Sequence, residues 1–361
     1  MNLPVFVIMA GGRGERFWPR SRRTYPKQLL ALVSESSLLQ DSVARIRELT
    51  EDNRIYIVTN QDYVVEVRQQ LPMLPECNIL IEPEGRNTAP CVGLAATYVA
   101  SHFPDENPVM VILPSDTLVR QPEVMRQTLA HGIRYSWEYD AGVIFGLWPN
   151  RPETGYGYIQ LGKELTTVDQ FSFHEVAAFK EKPDLQTAQA YLASHQYLWN
   201  GGIFVWRVQK LLQEITTNLP ELAAGLARFK PYIGTSNEMP RLKEIYPTLP
   251  ATSVDYGILE KTKGIVVVPA AFEWDDLGSW NSMERYLPAD SDGNVVQGDL
   301  IAVESEHCIV YSPHKTVVTL GVSELVIVET DDVLMVCSKD KAQEIKKVLN
   351  ALRDAKREDL L

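Results

Sequence analysis

Five short apolar runs constrain this chain more than any other feature: LPVFVIMA at 3–10, IYIV at 55–58, ILI at 79–81, VMVIL at 109–113 and GVIFGL at 142–147. Runs so short and so uniformly apolar present no polar face to water, so each reads as a strand buried on both sides. Between them the period changes to that of a helix. Leu39, Val43, Ile46 and Leu49 recur at 4-3-3 spacing, and an alanine-rich stretch from Thr88 to Ala100 carries Pro90 in its first turn, where a missing N–H is tolerated. Strands alternating with helices predict a Rossmann-like α/β fold, a mixed and mainly parallel sheet with helices on both faces.

Further along, the alternation loosens into a strand at EVAAF, a helix around 185–194, a strand-like IFVW and a long helical stretch at about 208–229. After Trp280 and the turn-rich Pro288–Asn294 the texture changes. Segments 299–303, 307–311, 315–320, 324–328 and 333–337 are short β-rich runs separated by Gly, Pro, Ser and Asp, and a charged helix follows at about 340–354. The expected organisation is a large α/β domain over residues 1–288 and a small β-rich domain over 289–361 that ends in a helix. Such short strands suit the coils of a small β-helix or a sandwich.

A net charge of −12 argues against nucleic acid as a partner, because a phosphate backbone needs a basic surface. Positive charge is concentrated instead: Arg13, Arg16, Arg20, Arg22, Arg23 and Lys27 stand against the single acid Glu15, which points to a small polyanion. No run approaches the ~18 apolar residues that a membrane span requires, and the first residues lack a signal-peptide pattern. A cytoplasmic protein without membrane partners is expected. Cys77, Cys91, Cys308 and Cys337 lack metal-type spacing and read as buried apolar thiols.

The basic cluster begins at a glycine loop. Ala10, Gly11, Gly12 and Gly14 follow the first apolar run, and residues without bulk let backbone N–H groups approach phosphate oxygens. The dinucleotide frame fails, with Phe17 where its third glycine belongs, and no P-loop pattern is present. A second candidate is Leu113-Pro114-Ser115-Asp116, a carboxylate just past the carboxyl end of a buried strand, where ligands of open α/β sheets gather. Asp116 either binds Mg²⁺ or caps the next helix.

The segment AGGRGERFWPRSRRTYPKQLLAL resembles the signature of sugar nucleotidyltransferases, most closely the mannose-1-phosphate guanylyltransferases. Resemblances continue in family order: Glu82-Pro83-Glu84-Gly85-Arg86-Asn87-Thr88-Ala89-Pro90, then Glu153-Thr154-Gly155-Tyr156-Gly157-Tyr158, Phe179-Lys180-Glu181-Lys182-Pro183, Trp199-Asn200-Gly201-Gly202-Ile203-Phe204, Ser253 to Lys261, and Trp274-Asp275-Asp276-Leu277-Gly278-Ser279-Trp280. The resemblance implies that Arg16 and Lys27 hold a triphosphate and offset charge as its α-phosphorus is attacked. It implies Asp116 and Asp276 as Mg²⁺ ligands, with Asp275 as the neighbour that competes for the second assignment. Ala10, Gly11, Gly12, Gly14, Arg86, Asn87, Thr88 and Ser115 would then form the nucleotide side, and Tyr156, Gly157, Glu181, Lys182 and Asn200 the sugar-phosphate side.

Asn87 and Thr88 serve equally well as caps of the helix that follows them, and backbone atoms of their loop offer both the donor and the acceptors that guanine requires. Thr117 replaces the histidine that usually follows the metal aspartate. The implied substrates are GTP and mannose 1-phosphate, the implied assembly is a homodimer, and the implied C-terminal region is a left-handed β-helix. Some relatives continue into an isomerase domain; with Leu361 as the last residue, that second activity is not expected. A transferase for another sugar 1-phosphate or nucleotide, and a non-catalytic nucleotide-sugar sensor, are the competing readings.

Overall fold

The computed structural model describes residues 2–361. The first apolar run forms β1 (Val5–Ala10), and its side chains divide between two cores: Val5 and Val7 face one way, Phe6, Ile8 and Ala10 the other. A strand buried on both faces needs a cover on each, and the elements that follow provide it: α1 (Leu38–Ile46), β2 (Ile55–Asn60), α2 (Val64–Gln70), β3 (Ile79–Glu82), α3 (Thr88–His102) and β4 (Val109–Pro114). Leu39, Val43 and Ile46 of α1 close one core. Ala89, Val92 and Ala96 of α3 close the other, each fully buried. Ser37 caps α1 in a reciprocal box with Gln40, which satisfies two of the free N–H groups at that helix end.

The chain continues through β5 (Leu118–Val119), α4 (Pro122–Tyr139), β6 (Val143–Leu147), β7 (Gly157–Val168), β8 (Phe171–Glu181), α5 (Leu185–Ser194) and β9 (Tyr197–Arg207). After these come α6 (Val208–Asn218), α7 (Pro220–Phe229), α8 (Glu238–Ile245), β10 (Val266–Ala270) and β11 (Trp274–Asp275). The main sheet runs β3-β2-β1-β4-β9-β6-β10-β8-β7. Neighbours are parallel from β3 to β4 and between β6 and β10. They are antiparallel around β9 and in the β7–β8 hairpin. The sheet is therefore mixed, as expected, and the carboxyl ends of β1, β3 and β4 open on one edge.

The expected single helix over 208–229 is two. Leu219, at φ −136 and ψ 64, leaves the helical region immediately before Pro220, because the proline ring crowds an α-helical residue preceding it. Two of the expected buried thiols are corrected: Cys91 and Cys308 are buried, whereas Cys77 is exposed and Cys337 partly so.

The C-terminal region holds β12 (Val295–Val303), β13 (Ile309–Leu320), β14 (Leu325–Glu329), β15 (Leu334–Ser338) and α9 (Lys346–Asp354). β12, β13 and β14 pair in parallel without helices between them, and β15 closes antiparallel. Segments read as two strands, 307–311 and 315–320, form the single β13, whose ladder shifts register opposite Gly298. There a Cβ would lie 2.0 Å from Ser312 O, so only glycine fits the bulge. The expected helix at 340–354 begins as a 3-10 turn at Lys339–Glu344 and becomes α-helical only in α9.

This sheet is not a free appendage. Val295, Ile309, Val326 and Met335 share a core with Phe17, Trp18, Leu30 and Trp280. The glycine-loop segment is thereby held between the two sheets.

Candidate active site

Gly14 lies at φ 58, and a Cβ there would sit 2.2 Å from Lys27 Cβ. Glycine thus meets two needs at once, a left-handed turn and direct contact with the lysine's backbone. The loop is further fixed by Gln28, buried at 2% exposure, whose amide donates to Ala10 O and Gly12 O at 2.9 Å each. Gly12 has nothing within 4 Å of a Cβ position and faces open space.

Lys27 is 6% exposed. Its ammonium lies 2.8 Å from Asp116 Oδ2 and donates to Asp276 O at 2.6 Å. Arg16 donates through Nη1 to Gly278 O at 2.9 Å and to Gln343 Oε1 at 3.1 Å. These groups line a cleft of about 500 Å³ together with Arg13, Gly14, Gln343 and Lys346. Arg16, Lys27, Asp116 and Asp276, drawn from three separated segments, are thus brought to one place.

The adjacent aspartates part company here. Asp275 is 1% exposed and accepts from Arg285 Nε and Nη2, from the Tyr286 hydroxyl at 3.0 Å, and from Arg151 at 3.4 Å. Asp276 faces the cleft and receives the Tyr156 hydroxyl on Oδ1. Burial raises its carboxyl above the usual range, while Tyr156 and the Lys27 ammonium draw it back down. A pair of acids with a lysine between them is a place where a cation and phosphates can exchange with the ammonium.

Tyr156 connects this cleft to a second group. Its carbonyl accepts from Lys182 N at 3.1 Å, and β7 and β8 pair Gly157 with Glu181. A Cβ on Gly157 would lie 2.5 Å from Glu181 Oε2 and 3.4 Å from Asn200 Cβ, so that glycine lets the two polar side chains converge. Lys182, at φ 45, pairs with Glu181 at 2.9 Å. Asn200 donates to Asp255 Oδ1 at 2.7 Å and accepts from Gly202 N. Burial and the nearby Glu181 raise the Asp255 carboxyl.

Three residues read as nucleotide contacts are otherwise engaged. Arg86 donates to Leu249 O at 3.1 Å and to Pro247 O, and pairs with Glu84. Asn87 caps Thr88 N, and Thr88 accepts from Val254 N. They fasten the start of α3 to segment 247–254, the approach to Asp255. Ser115 is buried, with its N–H on Met9 O. Thr117 is 5% exposed and its carbonyl accepts from Arg45.

Other residues escaped the sequence reading. Glu82, at the end of β3, is 5% exposed, accepts the Tyr246 hydroxyl, and would lie 2.8 Å from a Cβ on Gly11. Burial pushes its carboxyl up to about 7. Gln28 stood in the signature without a role. Gln343 and Lys346 carried no local signal at all.

A mixed open sheet with a glycine loop at its carboxyl edge, a lysine between two aspartates, and a polar hairpin opposite defines a nucleotide-handling transferase. The chain belongs to the nucleotidyl transferase family, whose model matches residues 5–292; a MannoseP isomerase/GMP-like beta-helix domain matches residues 298–352. It is similar to a mannose-1-phosphate guanylyltransferase of Escherichia coli, 37% identical over 98% of this chain and 76% of the relative. A second of that name, from Klebsiella pneumoniae, is 39% identical over 99% and 75%. Among solved structures, a Thermus thermophilus protein described as a mannose-1-phosphate geranyltransferase superposes with a TM-score of 0.86 at 34% identity, covering 98% of this chain and all of that one.

Proposed function

We propose that this protein transfers GMP from GTP to α-D-mannose 1-phosphate, forming GDP-mannose and pyrophosphate. The observation that carries the reading is the meeting of Lys27, Asp116 and Asp276 at one cleft, joined through Tyr156 to the Gly157, Glu181 and Asn200 group. One side suits a triphosphate, the other a hydroxylated ring with a phosphate.

A phosphate oxygen of the sugar attacks the α-phosphorus, a new P–O bond forms opposite the leaving oxygen, and the bond to the β-phosphate breaks. The nucleophile is already anionic, so no general base and no covalent enzyme intermediate are needed. Such a reaction is driven by positioning and by charge stabilisation. Arg16 and Lys27 supply fixed positive charge where the pyrophosphate departs. Asp116 and Asp276 fit Mg²⁺, which takes one or two carboxylates and fills its octahedron with phosphates and water; when bound it adds charge neutralisation across the phosphates.

Glu181 accepts from ring hydroxyls and Lys182 attracts the sugar phosphate. Glu82 Oε2, beside Gly11, offers one acceptor to a guanine N–H, while Oε1 already accepts the Tyr246 hydroxyl. Arg86, Asn87 and Thr88 act by holding the base-side loop in place. We place the domain division at residue 288, in the turns preceding β12.

A homodimer is supported by an apolar face on the C-terminal sheet. Ile301 pairs in register with Val318, and Val303 with Leu320, yet these four are 46–71% exposed. Among the described residues no helix is long and apolar enough to cross a membrane, and we assign the reaction to the cytoplasm, where nucleoside triphosphates are made.

The test is a grid of GTP, ATP, UTP and dTTP against mannose, glucose and galactose 1-phosphates, with pyrophosphate release as readout. GTP with mannose 1-phosphate should dominate. Preference for UTP or dTTP would overturn the base assignment, and silence in every well would favour a sensor.

A further inference from the structure

The cleft is lined from both ends of the chain. Gln343 and Lys346, which follow the last strand, surround the same space as Arg16, Lys27, Asp116 and Asp276. Gln343 registers this segment closely: its Oε1 accepts from Arg16 and its Nε2 donates to Ser279 Oγ at 3.2 Å. Lys346 stands three residues on, about one helical turn.

The other cations of the cleft have partners, the loosest being Arg13, 3.9 Å from Glu15 Oε1. Lys27 is divided between Asp116 and two carbonyls, and Arg16 between Gly278 and Gln343. Along the same segment, Lys341 of the 3-10 turn and Lys347 of α9 both pair with Glu344. Lys346 is exposed, and among the described residues no carboxylate stands within ion-pairing distance of it.

Charge balance decides what such a lysine is for. The lining holds the acids Glu15, Asp116 and Asp276 against the cations Arg13, Arg16, Lys27 and Lys346, so without Lys346 the two signs cancel. A neutral lining gives little electrostatic hold on a triphosphate before the metal arrives. Lys346 shares this lining with Arg13 and Gly14 of the glycine loop, whereas Gly157, Glu181 and Asn200 are reached through Tyr156.

We infer that Lys346 is a phosphate ligand contributed by the C-terminal domain, its ammonium binding the β- and γ-phosphate oxygens that leave as pyrophosphate. The inference rests on the reading of this cleft as a triphosphate site. It gives the small domain a part in chemistry, because its helix must dock before the phosphate site is complete.

Calorimetric titration of the full chain with GTP and, separately, with pyrophosphate, each with Mg²⁺, tests this without reference to the sugar. Lys346→Ala should weaken both by ~10-fold, in keeping with loss of one preorganised charge contact. Lys346→Arg should recover most of that loss, and Lys347→Ala, one residue along, should bind as wild type. Unchanged binding by Lys346→Ala, or an equal loss in Lys347→Ala, overturns the assignment. Should wild type bind both ligands yet form no GDP-mannose, the proposed reaction fails while the lysine result still stands.

Discussion

Asp275 and Asp276 are adjacent in sequence and opposite in surroundings, which makes them the sharpest test at the residue scale. Asp275 holds two arginines and a tyrosine inside the protein, so Asp275→Asn should cost about 3 kcal/mol, the range for breaking a buried ion pair, read as a lower urea midpoint. Asp276→Asn should leave the midpoint unchanged or raise it, because burial already disfavours that charge, while lowering pyrophosphate release by ~100-fold through loss of charge organisation. Activity surviving in Asp276→Asn would remove it from the metal site. Motif resemblance selected Asp276 over Asp275; of the two, Asp276 lines the cleft and Asp275 is enclosed by arginines. Nothing near position 86 in the sequence announces that the carbonyls of Pro247 and Leu249 arrive at Arg86.

At the scale of elements, the legible parts were those whose cause is local. Apolar runs became strands to within about two residues, whereas the break at Pro220, though its cause is equally local, went unread in the expected helix over 208–229. Contacts formed by docking were not legible, as with Gln343 on Arg16 across more than three hundred residues. The glycine loop lies between these cases, since its glycines look alike in sequence and differ in space. Gly14→Ala forces a Cβ into Lys27 at φ 58; it should lower stability by ~1–2 kcal/mol from the left-handed conformation alone and lower kcat with it. Gly12→Ala meets no protein atom, so its melting temperature should match wild type while the KM for GTP rises. Equal behaviour of the two variants in thermal melts and initial rates would deny the distinction.

For the whole molecule, the question is why a transferase sheet carries a small parallel β domain. Its inner face is accounted for: Val295, Ile309 and Val326 pack on Phe17, Trp18 and Trp280, and Arg22 reaches Asp332 at 2.6 Å while Trp18 donates to Leu360 O. The domain therefore braces the segment that follows the glycine loop. Its outer face is not accounted for within one chain. Ile301, Val303, Val318 and Leu320 form a registered apolar block open to water, and contiguous exposure of that kind marks an association surface. A second copy, laying the same block against this one, satisfies both by twofold symmetry. Light scattering on the eluting protein should give twice the chain mass. Replacing Val318 and Leu320 together by Glu should halve that mass while the activity per chain persists, because neither residue lines the cleft of Lys27 and Asp116. A monomeric wild type, or a double variant that stays dimeric, would place the contact elsewhere.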